Sequence, residues 1–310
     1  MQRLPWSFYL QVTLCAALWG SAFPVIKLSY ESLAIEGFGE RMAFAGVRFT
    51  LAGLFIMPFC RHSVLATIRE APKGKLVWVI LGQTYFQYLF FYYALSISSG
   101  TLGALLGSSG SFLWVVLAPV FLKTPKPTGR HWLVLLACSV GIAIAVYAPG
   151  AGSGQVLLGS AMFLLAALSG ALGAIGLKLV SAEFGSRTVT ALSLFIGGGM
   201  LYVTGASGWS GFWKDIHFDA IWPILYLSFL SATAFTLWNR LIERYSVNVL
   251  SAYRFLIPLC GVIESALFIE EETIGLGIVV GGVLVLASLV AMGRLPLGET
   301  ASGSGRTRQP

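Results

Sequence analysis

Long apolar blocks alternate with short polar connectors along almost the whole chain. A helical block of about 20 apolar residues is as long as the hydrocarbon core of a bilayer is thick. The connectors contain turn-forming and charged residues, as at 71–75 and 149–152. The pattern therefore predicts ten transmembrane helices, at residues 7–29, 41–60, 76–95, 99–122, 131–148, 155–178, 188–207, 220–242, 248–268 and 275–292.

The composition supports an all-α polytopic membrane protein. Of the 310 residues, 56% are hydrophobic and only 11% are charged, whereas a soluble domain has about 25% charged residues. So few polar side chains cannot cover a water-facing surface, and ten spans leave no room for a sizeable soluble domain. The net charge of +7 would suggest a nucleic-acid partner in a soluble protein. Here the basic residues flank membrane spans, so we expect no nucleic acid.

The distribution of Lys and Arg predicts how the spans are oriented. One set of alternate connectors holds only Lys27, Arg41 and Lys214, and Arg48 and Arg254 lie within spans. All the other basic residues fall in the opposite set of connectors and in the two terminal segments. Because cytoplasmic connectors are enriched in Lys and Arg, both termini are predicted to be cytoplasmic.

The chain also looks like two copies of one five-helix unit. A shift of 147 residues aligns Tyr92 with Asn239 and Ser111 with Pro258, and it places the fifth span on the tenth. Copies with an odd number of spans insert with opposite orientations, and such repeats place a substrate site near the midplane between the halves. The predicted units are 1–150 and 151–293, followed by a disordered cytoplasmic tail at 294–310.

Short motifs in a fixed order carry a family resemblance. They are residues 18–27 of the first span, Arg48-Phe49 in the second, Pro258 in the ninth, Glu270-Glu271 after it and Gly281-Gly282 in the tenth. The chain resembles the drug/metabolite transporter superfamily, particularly its ten-helix EamA-type exporters. It departs from the family at Ser111, where Pro is frequent, and at Thr124, where Glu is usual.

The resemblance implies ten helices arranged as two inverted repeats around a central cavity. It also implies export of small metabolites, such as amino acids including aromatic ones, by alternating access in a bacterial inner membrane. Efflux of lipophilic cations by proton antiport is the alternative within transport. Without a deep carboxylate in the first half, facilitated diffusion is an alternative to proton coupling.

The residues predicted to line the cavity are aromatic, small or polar residues of the first, third, fourth, eighth and ninth spans. They are Trp19, Gln83, Tyr88, Tyr92, Gly107, Ser111, Trp114, Trp238, Asn239, Tyr253 and Arg254. Polar side chains at membrane depth usually face protein or a water-filled cavity. Structural alternatives remain open. The tyrosines could belong to an interfacial belt. Gln83 and Gln87 could form a helix–helix hydrogen bond, and the small residues could serve close helix packing.

Three charged residues within spans give sharper hypotheses. Arg254 is predicted about two turns into the ninth span, where it could bind a substrate carboxylate or extend to the cytoplasmic interface. Arg48 belongs to a family motif and is assigned a structural role. Glu264 lies near the outer end of its span, where solvation is expected, although it is the best candidate for proton coupling.

Several chemistries have no matching pattern in the sequence. There is no Gly-rich phosphate loop with Lys-Ser/Thr, so ATP is not expected to drive transport. No metal-ligand cluster or nucleophile–base pair is apparent, so we expect no cofactor, no metal and no catalytic residue. An intramembrane lipid-modifying enzyme remains the less favoured alternative.

The expected partners are a small-molecule substrate and the lipid bilayer. The protein would be a monomer or a homodimer. Gly277, Gly281 and Gly282 could let two helices, of one chain or of two chains, approach closely.

Overall fold

The computed structural model describes residues 4–122, 124–147, 155–214, 218–245, 250, 253–254, 256–269 and 275–295. All regular structure in these residues is helical. The helices are α1 (Trp6–Ser32), α2 (Phe38–Ile56), α3 (Val64–Glu70), α4 (Lys73–Val79), α5 (Phe86–Ile97), α6 (Gly100–Gly107), α7 (Gly110–Phe121), α8 (Gly129–Tyr147), α9 (Val156–Phe184), α10 (Ser186–Thr204), α11 (Trp209–Lys214), α12 (Phe218–Arg244), α13 (Leu256–Phe268) and α14 (Leu276–Arg294). A π-helical stretch, Ile80–Tyr85, joins α4 to α5, and 3₁₀ turns follow α2 and α10.

Each of the ten predicted ranges coincides with a helix or with consecutive helices, which confirms the all-helical architecture. Within the described residues, 5 helices are long and apolar enough to cross a membrane. The number is 6 if α10 and the bent segment after it, which meet at 63°, form one span. The number of ten spans stays a prediction. The predicted tail, 294–310, lies almost entirely outside the described residues.

The packing of the helices follows a pseudo-two-fold pattern. The equivalent second and seventh spans, α2 and α10, pack against each other, and so do the fifth and tenth, α8 and α14. The remaining contacts come in matched pairs. Helix α1 packs against α12 and α13, and its counterpart α9 packs against α4 to α7. The first helix of each repeat therefore joins the other repeat, giving an α1 bundle (α1, α12, α13) and an α9 bundle (α4 to α7 and α9).

The contact between α2 and α10 depends on glycines that let the two backbones touch. A Cβ atom added to Gly46 would lie 2.5 Å from Tyr202 Cα, and one added to Gly53 would lie 2.6 Å from Phe195 N. Gly198 meets the backbone of α2 in the same way. As the residue number rises along α2, that of its neighbour on α10 falls, so the helices run antiparallel. Lipid provides no hydrophobic driving force between helices. Small residues at such crossings stabilise the contact because they allow close van der Waals packing.

Glycines also join α8 to α14 inside one chain. A Cβ atom on Gly281 would lie 2.5 Å from the carbonyl oxygen of Gly141, and one on Gly282 would contact Leu105. The close approach of two helices expected at Gly281 is therefore present within the chain, and the oligomeric state stays a prediction. Both residues already serve contacts within the chain.

Two predicted spans contain turn residues at positions that the repeat makes equivalent. The fourth, Gly100–Phe121, is as a whole long enough to cross a membrane, and in it Ser108 and Ser109 form a turn between α6 and α7 and donate their hydroxyls to carbonyls of α6. In the ninth, Arg254 lies in a turn two residues before α13 begins. The repeat shift of 147 residues places Gly107 on Arg254. Arg254 thus lies in a turn of the predicted ninth span, and its depth in the membrane stays a prediction.

Candidate functional site

A cavity of about 140 Å³ lies between the two bundles. Its walls come from α1, α2, the third span and α6 in the first half, and from α9, α12 and the start of the ninth span in the second. Seven of its described lining residues carry aromatic rings. They belong to Trp19, Phe23, Tyr88, Phe91, Phe163, Phe235 and Trp238. The cavity is thus shared by both repeats, where the sequence predicts a site.

The predicted site residues fall into three groups. Those that line the cavity are Trp19, Gln83, Tyr88, Gly107, Trp238 and Arg254. Tyr92 and Asn239 lie directly behind the wall and hydrogen-bond to residues that line it. The others, Ser111, Trp114 and Tyr253, do not line the cavity and pack elsewhere.

Gln83 and Asn239 form a closed amide pair across the two bundles. Gln83 Nε2 donates to Asn239 Oδ1 at 3.0 Å, and Asn239 Nδ2 donates to Gln83 Oε1 at 3.2 Å and to Thr190 Oγ1 at 2.7 Å. Both amides are buried. This is the helix–helix hydrogen bond that the sequence left open as the alternative for Gln83. Its amide lines the cavity with its polar atoms already engaged.

The π-helical stretch holds Gln83 against α9. A Cβ atom on Gly173 would lie 2.6 Å from Gln83 Cα, and one on Gly82 would lie 2.9 Å from Gly173 Cα. Both positions must therefore be glycine for the backbones to cross. Since π-helical turns occur frequently at functional sites, this stretch marks the wall where the third span meets the cavity.

Arg48 was assigned a structural role, but the structure also places it on the cavity wall. The side chain is only 2% exposed. Its Nη1 donates to the Tyr92 hydroxyl at 2.6 Å, its Nη2 donates to Ser231 Oγ at 2.9 Å, and Cζ lies 4.3 Å from the Phe49 ring centroid. Arg48 thus ties α2 to the third and eighth spans while its guanidinium faces the cavity.

Arg254 reaches the same cavity from the opposite repeat. Its guanidinium carbon lies 5.7 Å from the centroid of the Trp238 ring, in a cation–π arrangement. Its Nη2 lies 3.6 Å from the point where a Cβ of Gly110 would be. The side chain therefore points into the bundle. The interfacial alternative requires it to point outwards.

The glycines of the fourth span divide between packing and cavity. A Cβ atom on Gly103 would lie 2.6 Å from the Phe163 ring, and one on Gly110 would lie 3.2 Å from the carbonyl oxygen of Ala167. Gly107 has no neighbour within 4 Å of that position. Gly103 and Gly110 thus allow close helix packing, whereas Gly107 leaves open space at the cavity wall.

The predicted residues away from the cavity have different surroundings. Ser111 and Trp114 are fully buried, and their polar atoms have no hydrogen-bond partner in the described part of the chain. The Tyr253 ring packs edge-on against Phe8 and Tyr9, with centroids 5.1 and 5.7 Å away. These three side chains belong to helix packing.

Glu264 lies between α1 and α13, not on the cavity wall. Its Oε1 would lie 3.0 Å from a Cβ placed on Gly20, and its Oε2 is buried without a hydrogen-bond partner among the described residues. The expected solvation of Glu264 at the end of its span is therefore incomplete. Its role in proton coupling stays a prediction.

Sequence reasoning missed several rings of the wall that the repeat could have found. The shift of 147 residues relates Tyr88 to Phe235 and Phe91 to Trp238. All four line the cavity. Applying the repeat to Tyr88 would have added Phe235, and applying it in reverse to Trp238 would have added Phe91. Phe163 has no such signal.

Comparisons with known proteins agree with this architecture. The sequence model of the EamA-like transporter family matches residues 6–147 and again 157–294. The chain is 25% identical over 299 residues to an uncharacterized transporter of Bacillus subtilis (strain 168), YvbV, covering 93% of this chain and 92% of that protein. It is 22% identical over 288 residues to a probable amino-acid metabolite efflux pump of Escherichia coli (strain K12), covering 89% and 91%.

A solved crystal structure has the same fold, with a TM-score of 0.60 at 14% identity, covering 90% of this chain and 95% of that one. The match of the family model confirms the resemblance found in the sequence motifs. Because the same family model matches each half, the chain belongs to the EamA-like transporter family.

Proposed function

We propose that the protein is a secondary transporter that exports small organic metabolites, amino acids among them, across the bacterial inner membrane. The observation that carries the proposal is the central cavity, which both repeats line with aromatic rings and a few polar groups. Concave, mostly apolar sites with a few placed polar groups bind small molecules. Membership in a transporter family supports transport, and the name of the E. coli relative supports amino-acid metabolites as cargo.

Alternating access would follow from rocking of the α1 bundle against the α9 bundle. Each bundle contains helices of both repeats, and the glycine contact between α2 and α10 lies beside both. The Gln83–Asn239 pair connects the bundles on one side of the cavity. The cavity would open to one side when this connection separates and to the other when it closes.

Orientation and energy coupling belong to the same proposal. The distribution of basic residues favours cytoplasmic termini, with the chain acting as a monomer or a homodimer. Facilitated diffusion fits a cavity with no Asp or Glu among its described lining residues. Proton antiport would need a group such as Glu264, which lies outside that wall. Efflux of a lipophilic cation would need an anionic group at the cavity.

Flux into proteoliposomes tests the proposal directly. Purified protein would be reconstituted and supplied with labelled amino acids, amino-acid derivatives and lipophilic cations, with and without a pH gradient. We expect saturable flux of amino-acid-like solutes. Flux of none of them would overturn the proposal, and proton-coupled flux of cations alone would support the cation alternative.

Two glycine variants show whether flux passes through the cavity. Gly107→Trp places a large ring in open space at the cavity wall and should abolish flux. Gly199→Trp, on α10, also has no neighbour within 4 Å of its Cβ position and does not line the cavity. It should keep flux near the parent value. Equal flux from both variants would remove the cavity from the transport path.

A further inference from the structure

The central cavity has two positively charged side chains and no negative one among its described lining residues. The charges belong to Arg48 on α2 and to Arg254 before α13. Neither forms an ion pair within the described part of the chain. An unpaired charge at membrane depth is costly, so it marks a functional site by default. The net positive field of the cavity therefore needs a compensating anion.

The contacts of Arg48 leave part of its guanidinium available. Its two hydrogen bonds go to neutral hydroxyls, those of Tyr92 and Ser231. Its Nε is buried without a hydrogen-bond partner. A guanidinium carries more N–H donors than these contacts use. The two hydroxyls hold the side chain in place without neutralising it, which suits a preformed anion receptor.

Arg254 is arranged in a similar way on the other repeat. The face of Trp238 supports its guanidinium, and no hydrogen bond from that group is formed in the described part of the chain. The Tyr88 ring centroid lies 6.0 Å from the guanidinium carbon of Arg48. Tyr88 and both arginines line the same cavity.

We propose that the transported species is a net-anionic organic carboxylate with an apolar, planar body, bound by Arg48 and Arg254 together. The proposal rests on the proposed transport function and narrows its substrate class. A carboxylate has two oxygens, and guanidinium groups bind them by strong charge-assisted hydrogen bonds. The aromatic wall then covers the apolar body.

The same chemistry makes an ordinary zwitterionic amino acid a poorer cargo than its anionic derivative. Its ammonium group would find no carboxylate on the described wall, and the Gln83 carbonyl already accepts from Asn239. An ammonium group near two guanidinium groups is also repelled. An amino acid that has lost its amine or carries it as an amide keeps the carboxylate and avoids this repulsion.

The arrangement also couples binding to movement. Arg48 belongs to the first repeat and Arg254 to the second. In the empty cavity their like charges favour separation, and a bound carboxylate changes this repulsion into a shared attraction. A ligand shifts a conformational equilibrium only through such differential interaction with the two states. The anion therefore favours the state in which the cavity closes around it.

A matched panel of solutes in proteoliposomes tests the inference. The panel is phenylalanine (zwitterion), N-acetylphenylalanine and 3-phenylpropionate (anions) and phenethylamine (cation). We expect flux of the two anions to exceed that of phenylalanine by roughly tenfold or more, because unpaired polar groups are strongly discriminated against in such sites. Anion flux should also respond to an imposed membrane potential. Equal or faster flux of phenylalanine would overturn the inference and leave the proposed function standing, whereas no flux of any solute would overturn both.

Arginine variants locate the anion site. Arg48→Gln and Arg254→Gln should each remove most anion flux, whereas Arg254→Lys should retain part of it. Arg187→Gln is the matched control, since Arg187 binds the carbonyl oxygen of Phe59 away from the cavity. Anion flux that survives in both Gln variants would overturn the inference.

A binding measurement covers the case in which Arg48→Gln does not fold. N-acetylphenylalanine should raise the melting temperature of the parent protein in detergent, and phenylalanine should not. Arg254→Gln should lose this shift while remaining monodisperse in gel filtration. A shift that Arg254→Gln keeps in full would count against the two-arginine site.

Discussion

Gln83 and Asn239 exchange two hydrogen bonds where the third predicted span meets α12, with donor–acceptor distances of 3.0 and 3.2 Å. The pair is buried and joins the two bundles. Loss of one partner leaves the other amide unsatisfied, which costs about 1–3 kcal/mol. Gln83→Leu should therefore lower the melting temperature in detergent.

The double variant separates the hydrogen bonds from packing. Replacement of both partners by apolar groups is nearly neutral, so Gln83→Leu combined with Asn239→Leu should recover part of the stability that Gln83→Leu loses. Thr190, the other partner of Asn239, keeps the recovery incomplete. If the two losses simply added, the amides would not act as a pair.

Gly53→Ala tests the antiparallel contact between α2 and α10. The new Cβ would lie 2.6 Å from the backbone nitrogen of Phe195, so the helices must separate. Overpacking of this kind costs about 1–3 kcal/mol, and thermal unfolding in detergent should show the loss. Gly199→Ala is the control, because it has open space on α10 and gains helix propensity. A Gly53→Ala variant as stable as Gly199→Ala would contradict the tight contact.

The repeat made much of the helix packing predictable. Aligning the second half on the first makes α2 equivalent to α10 and α8 equivalent to α14. Equivalent helices are expected to pair at the pseudo-two-fold axis, and both pairs are in contact in the structure.

The side of each helix that faces the cavity was harder to predict. Phe229 is 59% exposed and Phe235 is 4% exposed, although both are phenylalanines on α12. Lipid and protein interior are equally apolar, so composition cannot distinguish the two faces.

The turns in the fourth and ninth spans could not be predicted from the sequence either. Serine and glycine are tolerated inside membrane helices because neighbouring groups satisfy the freed backbone groups. Ser108 and Ser109 therefore did not indicate a turn.

The position of Arg48 on the cavity wall was missed for a different reason. Its family motif suggested a structural role, whereas an intramembrane arginine with no carboxylate to pair with already indicates a functional site.

Ser111→Ala distinguishes packing from a role in the cavity. The sequence placed Ser111 at the site, but its hydroxyl is fully buried, unpaired within the described residues and away from the cavity wall. Removal of a buried unsatisfied polar group is neutral or stabilising. We expect unchanged flux and an unchanged or slightly higher melting temperature. A severalfold fall in flux would instead restore Ser111 to the substrate path.

Labelling of single cysteines tests the ten-span topology. The native cysteines are free, with Cys15 and Cys138 buried and Cys60 and Cys260 half-buried, so a variant that lacks all four is the starting point. Lys126 and Lys214 are exposed and lie in connectors predicted to face opposite sides. With ten spans and cytoplasmic termini, an impermeant maleimide added to intact cells should label Lys214→Cys and should label Lys126→Cys only after lysis. Labelling of both positions from the same side would require an even number of crossings between them and would reject the ten-span count.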